Sequence, residues 1–265
     1  ILLGDPNQLP PIDLGAPFEE IAEGRIPKPP GLEAIKLTTC VRSESEEILD
    51  LSERILENDP NRILDFFKEP KESIEFVDID QQNVFALQKE IVHIALNKYE
   101  AILNGAHTPH ALFVHQKEFS ILTPFRVGPL GSETLNQMIS AQVKQQSLAL
   151  PIMIRENRPD LGLYNGDIGF LIQGDEPYGL FKDNQEVRSI SELLLPAFEF
   201  AFCLSIHKSQ GSEFTEALII MPPDARCFGK KILYTALTRV KKRARLFSTL
   251  TLLSEIVCTL PPQSH

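Results

Sequence analysis

At 265 residues, with 43% hydrophobic and 23% charged side chains, the chain is long enough for one large core or two and too apolar for a disordered segment. A net charge of −10, taken alone, argues against a nucleic-acid partner. No apolar run approaches the ~18 residues of a membrane span and no basic-then-apolar leader is present, so cytoplasm is the expected location.

The first stretch, ILLGDPNQLPPI, runs three apolar residues into Gly4 and a polar loop with Asp5, Asn7 and Gln8, stiffened by Pro10 and Pro11. A chain that lacks an initial Met and opens in mid-strand is expected to be a fragment or a processed product. LEAIKLT reads as a strand, and SESEEILDLSERILEN as a helix with Ile48, Leu51, Ile55 and Leu56 on one face. SIEFVDI then reads as a strand, QQNVFALQKEIVHIALNKYEAIL as a helix, EFSILTP as a strand and GSETLNQMISAQVKQQ as a helix. Such alternation predicts an α/β layer with a mainly parallel sheet, whose ligands usually sit at the carboxyl ends of strands.

From about Leu150 to Cys203 the pattern changes to short strands and turns: LPIMIREN, YNGDIGFLIQ, GLFKD, EVRSI and FEFAFCLS. The turn dipeptides Asn165-Gly166 and Asp183-Asn184 predict a small antiparallel barrel inserted into the α/β unit. TEALIIMP and RARLFST resume the strands, with KKILYTALTRV as the helix between them.

The cysteines (Cys40, Cys203, Cys227, Cys258) are widely spaced without a CxxC pair, which points to reduced packing residues. His107, His110 and His115 cluster near a predicted loop without supporting ligands, so no metal site is expected. Against the acidic total stands a local basic excess, because Arg226 to Arg245 holds eight Lys and Arg and no Asp or Glu.

Four loops could carry chemistry. Asp5 and Gln8 after the first strand place an amide where it could meet a phosphate oxygen or an attacking water; a proline-stiffened polar turn is the alternative. Arg42, just before a helix, is either a forked phosphate donor or a surface arginine. SIHKSQGSEF sets His207, Lys208, Ser209 and Gln210 in a row, Gly211 permits a left-handed turn, and Glu213 adds an acceptor fit for a ribose hydroxyl. In LYTALTRVKKRARL, Arg239 ends a helix where it could face a nucleotide across a cleft, while Lys241, Lys242 and Arg243 read as a solvated run.

Taken in order, GDPNQLPPI, CVRS, ILTPFRVGPLG with its following LN, LGLYNGDIG, IHKSQGSEF and LYTALTRVKKR resemble the carboxyl-terminal half of superfamily-one helicases. Within them they look like the RecD family, the alpha subunit of exonuclease V (the RecBCD complex). The resemblance implies a RecA-like parallel-sheet motor domain of the P-loop NTPase class with an inserted small antiparallel β-barrel. It divides the chain into the tail of a first motor domain (1–30), a second motor domain (31–149 and 204–265) and the insert (150–203).

It assigns Gln8 and Asp5 to coupling the γ-phosphate to the DNA track, Arg42 and Arg239 to the γ-phosphate, and Gly211 and Glu213 to the nucleotide, Glu213 near its sugar. Arg126, Asn136, Asn165, His207, Lys208 and Ser209 match segments that line or support a single-strand path, with Phe125 a plausible stacking ring. The implied activity is ATP-dependent five-prime to three-prime translocation on single-stranded DNA in recombinational double-strand-break repair. Implied partners are single-stranded DNA, the missing amino-terminal half and RecB- and RecC-like subunits, with no membrane.

The sequence holds no G-x-x-x-x-G-K-[ST] phosphate loop and no acidic pair after a strand for magnesium. ATP with Mg2+ is therefore expected to be held mainly by the missing first motor domain, and this chain is expected not to hydrolyse ATP alone. A non-catalytic DNA-binding or scaffolding remnant, and a stand-alone RecD-like helicase, are the competing readings.

Overall fold

The computed structural model describes residues 4–10, 17–22, 24–27, 35, 43–103, 108–143, 149–183 and 186–258. The expected strand LEAIKLT, apart from Ile35, and the candidate arginine Arg42 lie outside them, as does Cys40.

The helices are α1 (Pro17–Ala22), α2 (Glu46–Leu56), α3 (Pro60–Phe66), α4 (Val84–Leu103), α5 (Pro109–Glu118), α6 (Ser132–Val143), α7 (Lys230–Leu237) and α8 (Leu250–Cys258). The strands are β1 (Ile74–Asp78), β2 (Phe119–Thr123), β3 (Ala149–Ile154), β4 (Ile168–Ile172), β5 (Tyr178–Asp183), β6 (Glu186–Ser191), β7 (Phe198–Phe200), β8 (Cys203–Ser205), β9 (Phe214–Ile220) and β10 (Val240–Ser248).

Five strands form an all-parallel sheet in the order β1-β10-β9-β2-β8. Its strands are apolar on both faces because both are covered. In β9, Leu218 and Ile220 face one core with α4, α5 and α6, while Ala217 and Ile219 face the other with α2, α3, α7 and α8. The start of α2 is set locally: Ser45 Oγ accepts from Ile48 N–H at 3.3 Å, with Glu46 and Glu47 in the first turn.

The other strands form an antiparallel sheet in the order β6-β5-β4-β3-β7. It packs against the α4–α6 side of the parallel sheet through Leu150, Ile152, Phe170 and Phe181. Barrel closure is not seen: among the described residues, β6 pairs with β5 and β7 with β3, so both end strands keep an outer edge.

One further expectation changes. FEFAFCLS divides at Ala201 and Phe202, so that β7 pairs antiparallel with β3 and β8 pairs parallel with β2. One extended run thus belongs to both sheets, and Phe202, fully buried, sits at the exchange. His110 and His115 lie on α5, whose start Thr108 caps and whose first turn Pro109 occupies, and His107 lies outside the described residues.

The basic run is largely neutralised by partners from other elements. Lys241 pairs with Glu213, Lys242 with Glu44, Arg243 with Glu216, and Arg245 with Glu75 and Glu90.

Candidate functional site

One face of α7 grips the turn at the start of the chain. Lys231 Nζ donates to Pro6 O at 2.9 Å, Tyr234 OH donates to Asp5 Oδ2 at 3.1 Å, and Leu9 N–H donates to Thr235 Oγ1 at 3.0 Å. Positions 231, 234 and 235 share one side of a helix, while Ile232, Leu233, Ala236 and Leu237 are buried in the core. Asp5 shapes its own turn by accepting Asn7 N–H at 3.0 Å and Gln8 N–H at 3.2 Å.

Arg239 follows α7 and is only 3% exposed. Its Nη2 donates to Gln8 Oε1 at 3.1 Å and to Thr238 Oγ1 at 3.3 Å, and its Nη1 to Ser212 O at 3.3 Å. Gln210 Nε2 closes the group by donating to Leu9 O at 2.7 Å. Asp5, Gln8 and Arg239 are thus brought together, and Gly211 and Glu213 lie in the strand-entry segment beside them. Gly211 has φ +86°, the left-handed conformation anticipated for it. Glu213 pairs with Lys241 at 2.9 Å, and that hydrogen bond raises the lysine above its ordinary value.

This cluster departs from the expected end of the sheet. Glu213 immediately precedes β9 and Arg239 immediately precedes β10, so the group lies at the amino ends of those strands. Gln8 Oε1, Thr238 Oγ1 and Ser212 O are neutral acceptors, and a phosphate oxygen in place of one of them would add direct attraction between opposite charges to a bond the guanidinium already assists. The donor set of a forked guanidinium, an amide and an ammonium fits the phosphates of a nucleotide.

The proposed strand-path residues separate into surface and support. Arg126, after the carboxyl end of β2, is exposed and pairs with Glu133 at 2.7 Å. Half-buried His207, after the carboxyl end of β8, sits 6.0 Å from the Phe228 ring, which in turn meets Phe125 at 5.4 Å; burial lowers the His207 pKa. Lys208 Nζ donates to Glu199 Oε1 of β7 at 2.7 Å.

Asn136 and Ser209 are buried. Asn136 exchanges two hydrogen bonds with the Cys203 main chain, at 2.9 and 2.8 Å, and Ser209 Oγ donates to Ile206 O at 2.8 Å. Both act as supports of the loop and are not presented at its surface. Asn165 lies apart from these groups on an exposed turn of the antiparallel sheet, where its N–H donates to Asn157 Oδ1 at 2.8 Å.

The sequence reading passed over Lys231, Tyr234, Thr235, Glu199 and Phe228. The helical spacing of the first three was visible as a polar stripe on an otherwise apolar helix. Glu199 and Phe228 gave no local signal, because each meets its partner only through tertiary packing.

Residues 200–247 match the UvrD-like helicase C-terminal domain. Over 93% of its length the chain is 30% identical to the RecBCD enzyme subunit RecD of Mycobacterium tuberculosis (strain H37Rv), covering 44% of that protein. It is 34% identical to the Haemophilus influenzae RecD subunit over 54% of the chain and 23% of the relative, and 23% identical to the ATP-dependent RecD2 DNA helicase of Deinococcus radiodurans over 92% and 32%. Among solved structures, a Pif1 helicase from Bacteroides superposes with a TM-score of 0.41 at 17% identity, over 92% of this chain and 60% of that one. The chain spans less than half the length of these RecD relatives. It is RecD-like in sequence, consistent with the carboxyl-terminal part of such a helicase.

Proposed function

We propose that this chain is the second-motor-domain part of an ATP-dependent DNA helicase subunit of RecD type, which moves five-prime to three-prime on single-stranded DNA. Its setting would be an exonuclease V type complex with RecB- and RecC-like subunits. The reading rests on RecD relatives across 93% of the chain and, in the site itself, on the contact between Arg239 and Gln8. ATP with Mg2+, held mainly by a first motor domain, supplies the phosphoanhydride cleavage that drives the cycle.

The residues of this chain then act as follows. Arg239 turns from Gln8 Oε1 to a phosphate oxygen, and Gln8, released from Arg239, orients its amide toward the same group. Glu213 exchanges Lys241 for a ribose hydroxyl, and Arg42 supplies a second guanidinium. Through Lys231, Tyr234 and Thr235, α7 couples displacement of Arg239 to the Asp5–Leu9 turn. Strand contact falls to Arg126, His207, Lys208 and Asn165, supported by Asn136 and Ser209.

The test is DNA-dependent ATP turnover and unwinding by a protein of full RecD length carrying these residues. Arg239→Ala is expected to lower turnover by about 10³–10⁵. Turnover unchanged in that variant overturns the role given to Arg239, and absence of turnover in the unaltered protein overturns the helicase reading.

A further inference from the structure

The antiparallel sheet has an apolar corner that neither the Arg239 group nor the proposed strand path uses. After β6 the chain enters a short 3-10 turn (Glu192–Leu194), in which Leu193 is 95% and Leu194 57% exposed. Ser191 lies opposite Tyr178 in the β5–β6 ladder, which brings the exposed Tyr178 to this turn.

The corner is held firmly. Glu192 N–H donates to Pro177 O at 3.0 Å, and Leu195 N–H donates to Glu192 O at 3.1 Å. Half-buried Leu195 seats the turn on the sheet at Gly179, where a Cβ would fall 3.0 Å from both Leu195 methyl carbons. That close approach requires glycine. Leucines presented on a fixed turn lose no further backbone freedom when they are covered, which favours association.

Three carboxylates share the corner. Asp175 and Glu176 immediately precede Pro177, and Glu192 opens the turn itself. None of the three forms a salt bridge with a described residue, and segments 173–180 and 191–195 contain no Lys or Arg. An acidic rim repels the phosphates of a nucleic-acid strand. It also disfavours a second copy docked on the same surface, because a two-fold interface would set like charges against each other. An apolar centre with an acidic rim fits a polypeptide of the complementary pattern.

We infer that this corner docks another protein, through a segment that combines Leu or aromatic side chains with Lys or Arg. The apolar groups cover Leu193, Leu194 and Tyr178, and the cations meet Asp175, Glu176 and Glu192. This goes beyond the helicase reading and does not depend on it.

The test is photo-crosslinking in the native cells from Tyr178→p-benzoylphenylalanine, in a protein of full RecD length carrying these residues, with the crosslinked peptide sequenced by mass spectrometry. The expected product is one discrete site on a different polypeptide, in a stretch that carries both Lys or Arg and Leu or aromatic residues. Adding Leu193→Ser with Leu194→Ser should reduce the yield by about 10-fold or more. Adding Asp175→Asn, Glu176→Gln and Glu192→Gln should reduce it by about 2- to 10-fold and abolish its fall with rising salt.

Crosslinks to nucleic acid, to a second copy, to another part of the same chain or to a stretch without basic residues overturn the inference. So does a yield that either set of substitutions leaves unchanged, or the absence of a discrete product. DNA-dependent ATP turnover, measured in parallel on the unaltered protein, judges the helicase reading alone.

Discussion

Arg239 Nη2 donates to Gln8 Oε1 at 3.1 Å across 231 residues of sequence, joining a helix end near the carboxyl terminus to the first turn of the chain. The contact is nearly dry, with Arg239 3% exposed. A hydrogen bond to a charged group in such a setting is worth about 1.5–3 kcal/mol. A double-mutant cycle of Gln8→Ala and Arg239→Ala, followed by urea unfolding, is expected to give a coupling energy of about 1–2 kcal/mol. A coupling near zero would mean that the two side chains do not meet in solution.

Tyr234→Phe removes one hydroxyl and keeps the ring. Its hydroxyl donates to Asp5 Oδ2, and Asp5 in turn accepts the N–H groups of Asn7 and Gln8. The variant is expected to lose about 1 kcal/mol of stability. Amide exchange at Asn7 and Gln8 should accelerate more than exchange in β9 or β10. Uniform acceleration across the chain would show that Tyr234 stabilises the core generally and does not fix this turn.

His207 makes stability depend on pH in a definite direction. Burial lowers its pKa from 6.5, so the folded chain resists a proton that the unfolded chain accepts. Above pH 6.5 both states are neutral and the group contributes nothing. As pH falls through 6.5 the unfolded state gains protons first and stability declines, until the pH drops below the folded value and the loss is complete. Urea midpoints between pH 8 and 5 should therefore fall more steeply for the unaltered chain than for His207→Gln. Parallel curves would place His207 in water.

How much could be read from the sequence depended on how local each cause was. Helix α2 was legible because Ser45, Glu46 and the spacing of Ile48, Leu51 and Ile55 all act within one segment. Four of the five parallel strands, β1, β2, β9 and β10, were legible as apolar runs, but their order was not, since β1 lies beside β10 only through contacts far apart in sequence. FEFAFCLS looked like one strand because nothing in its composition marks the change of partner at Ala201. In the site, Gln8 and Arg239 were legible as chemistry, whereas Glu199 opposite Lys208 depended on two sheets meeting.

Glu199→Gln tests whether Lys208 is held in reserve. Glu199 takes Lys208 at 2.7 Å and Arg155 at 3.7 Å, so neutralising it releases two cations. Stability should change by about 1 kcal/mol or less, because both lysine and arginine keep solvent contact. Single-stranded DNA should bind more tightly, with a salt slope steeper by about 0.7–1.4. Unaltered affinity with unaltered slope would remove Lys208 from the strand path.

Asn136 is the support whose loss should be felt furthest. β8 is an edge strand of the parallel sheet, pairing with β2 on one side. On its outer side the amide of Asn136 takes the place of a further strand: Nδ2 donates to Cys203 O at 2.9 Å and Oδ1 accepts Cys203 N–H at 2.8 Å. Asn136 is 6% exposed, so Asn136→Ala leaves two main-chain groups with little access to water. The cost should be about 2–4 kcal/mol, and Asn136→Leu should recover little of it, because the deficit is in hydrogen bonds and not in volume. Since Cys203 begins the segment that leads into His207 and Lys208, the same variants should weaken single-stranded DNA binding at temperatures where they remain folded. Lost stability with unchanged affinity would confine Asn136 to the sheet edge and detach it from the strand path.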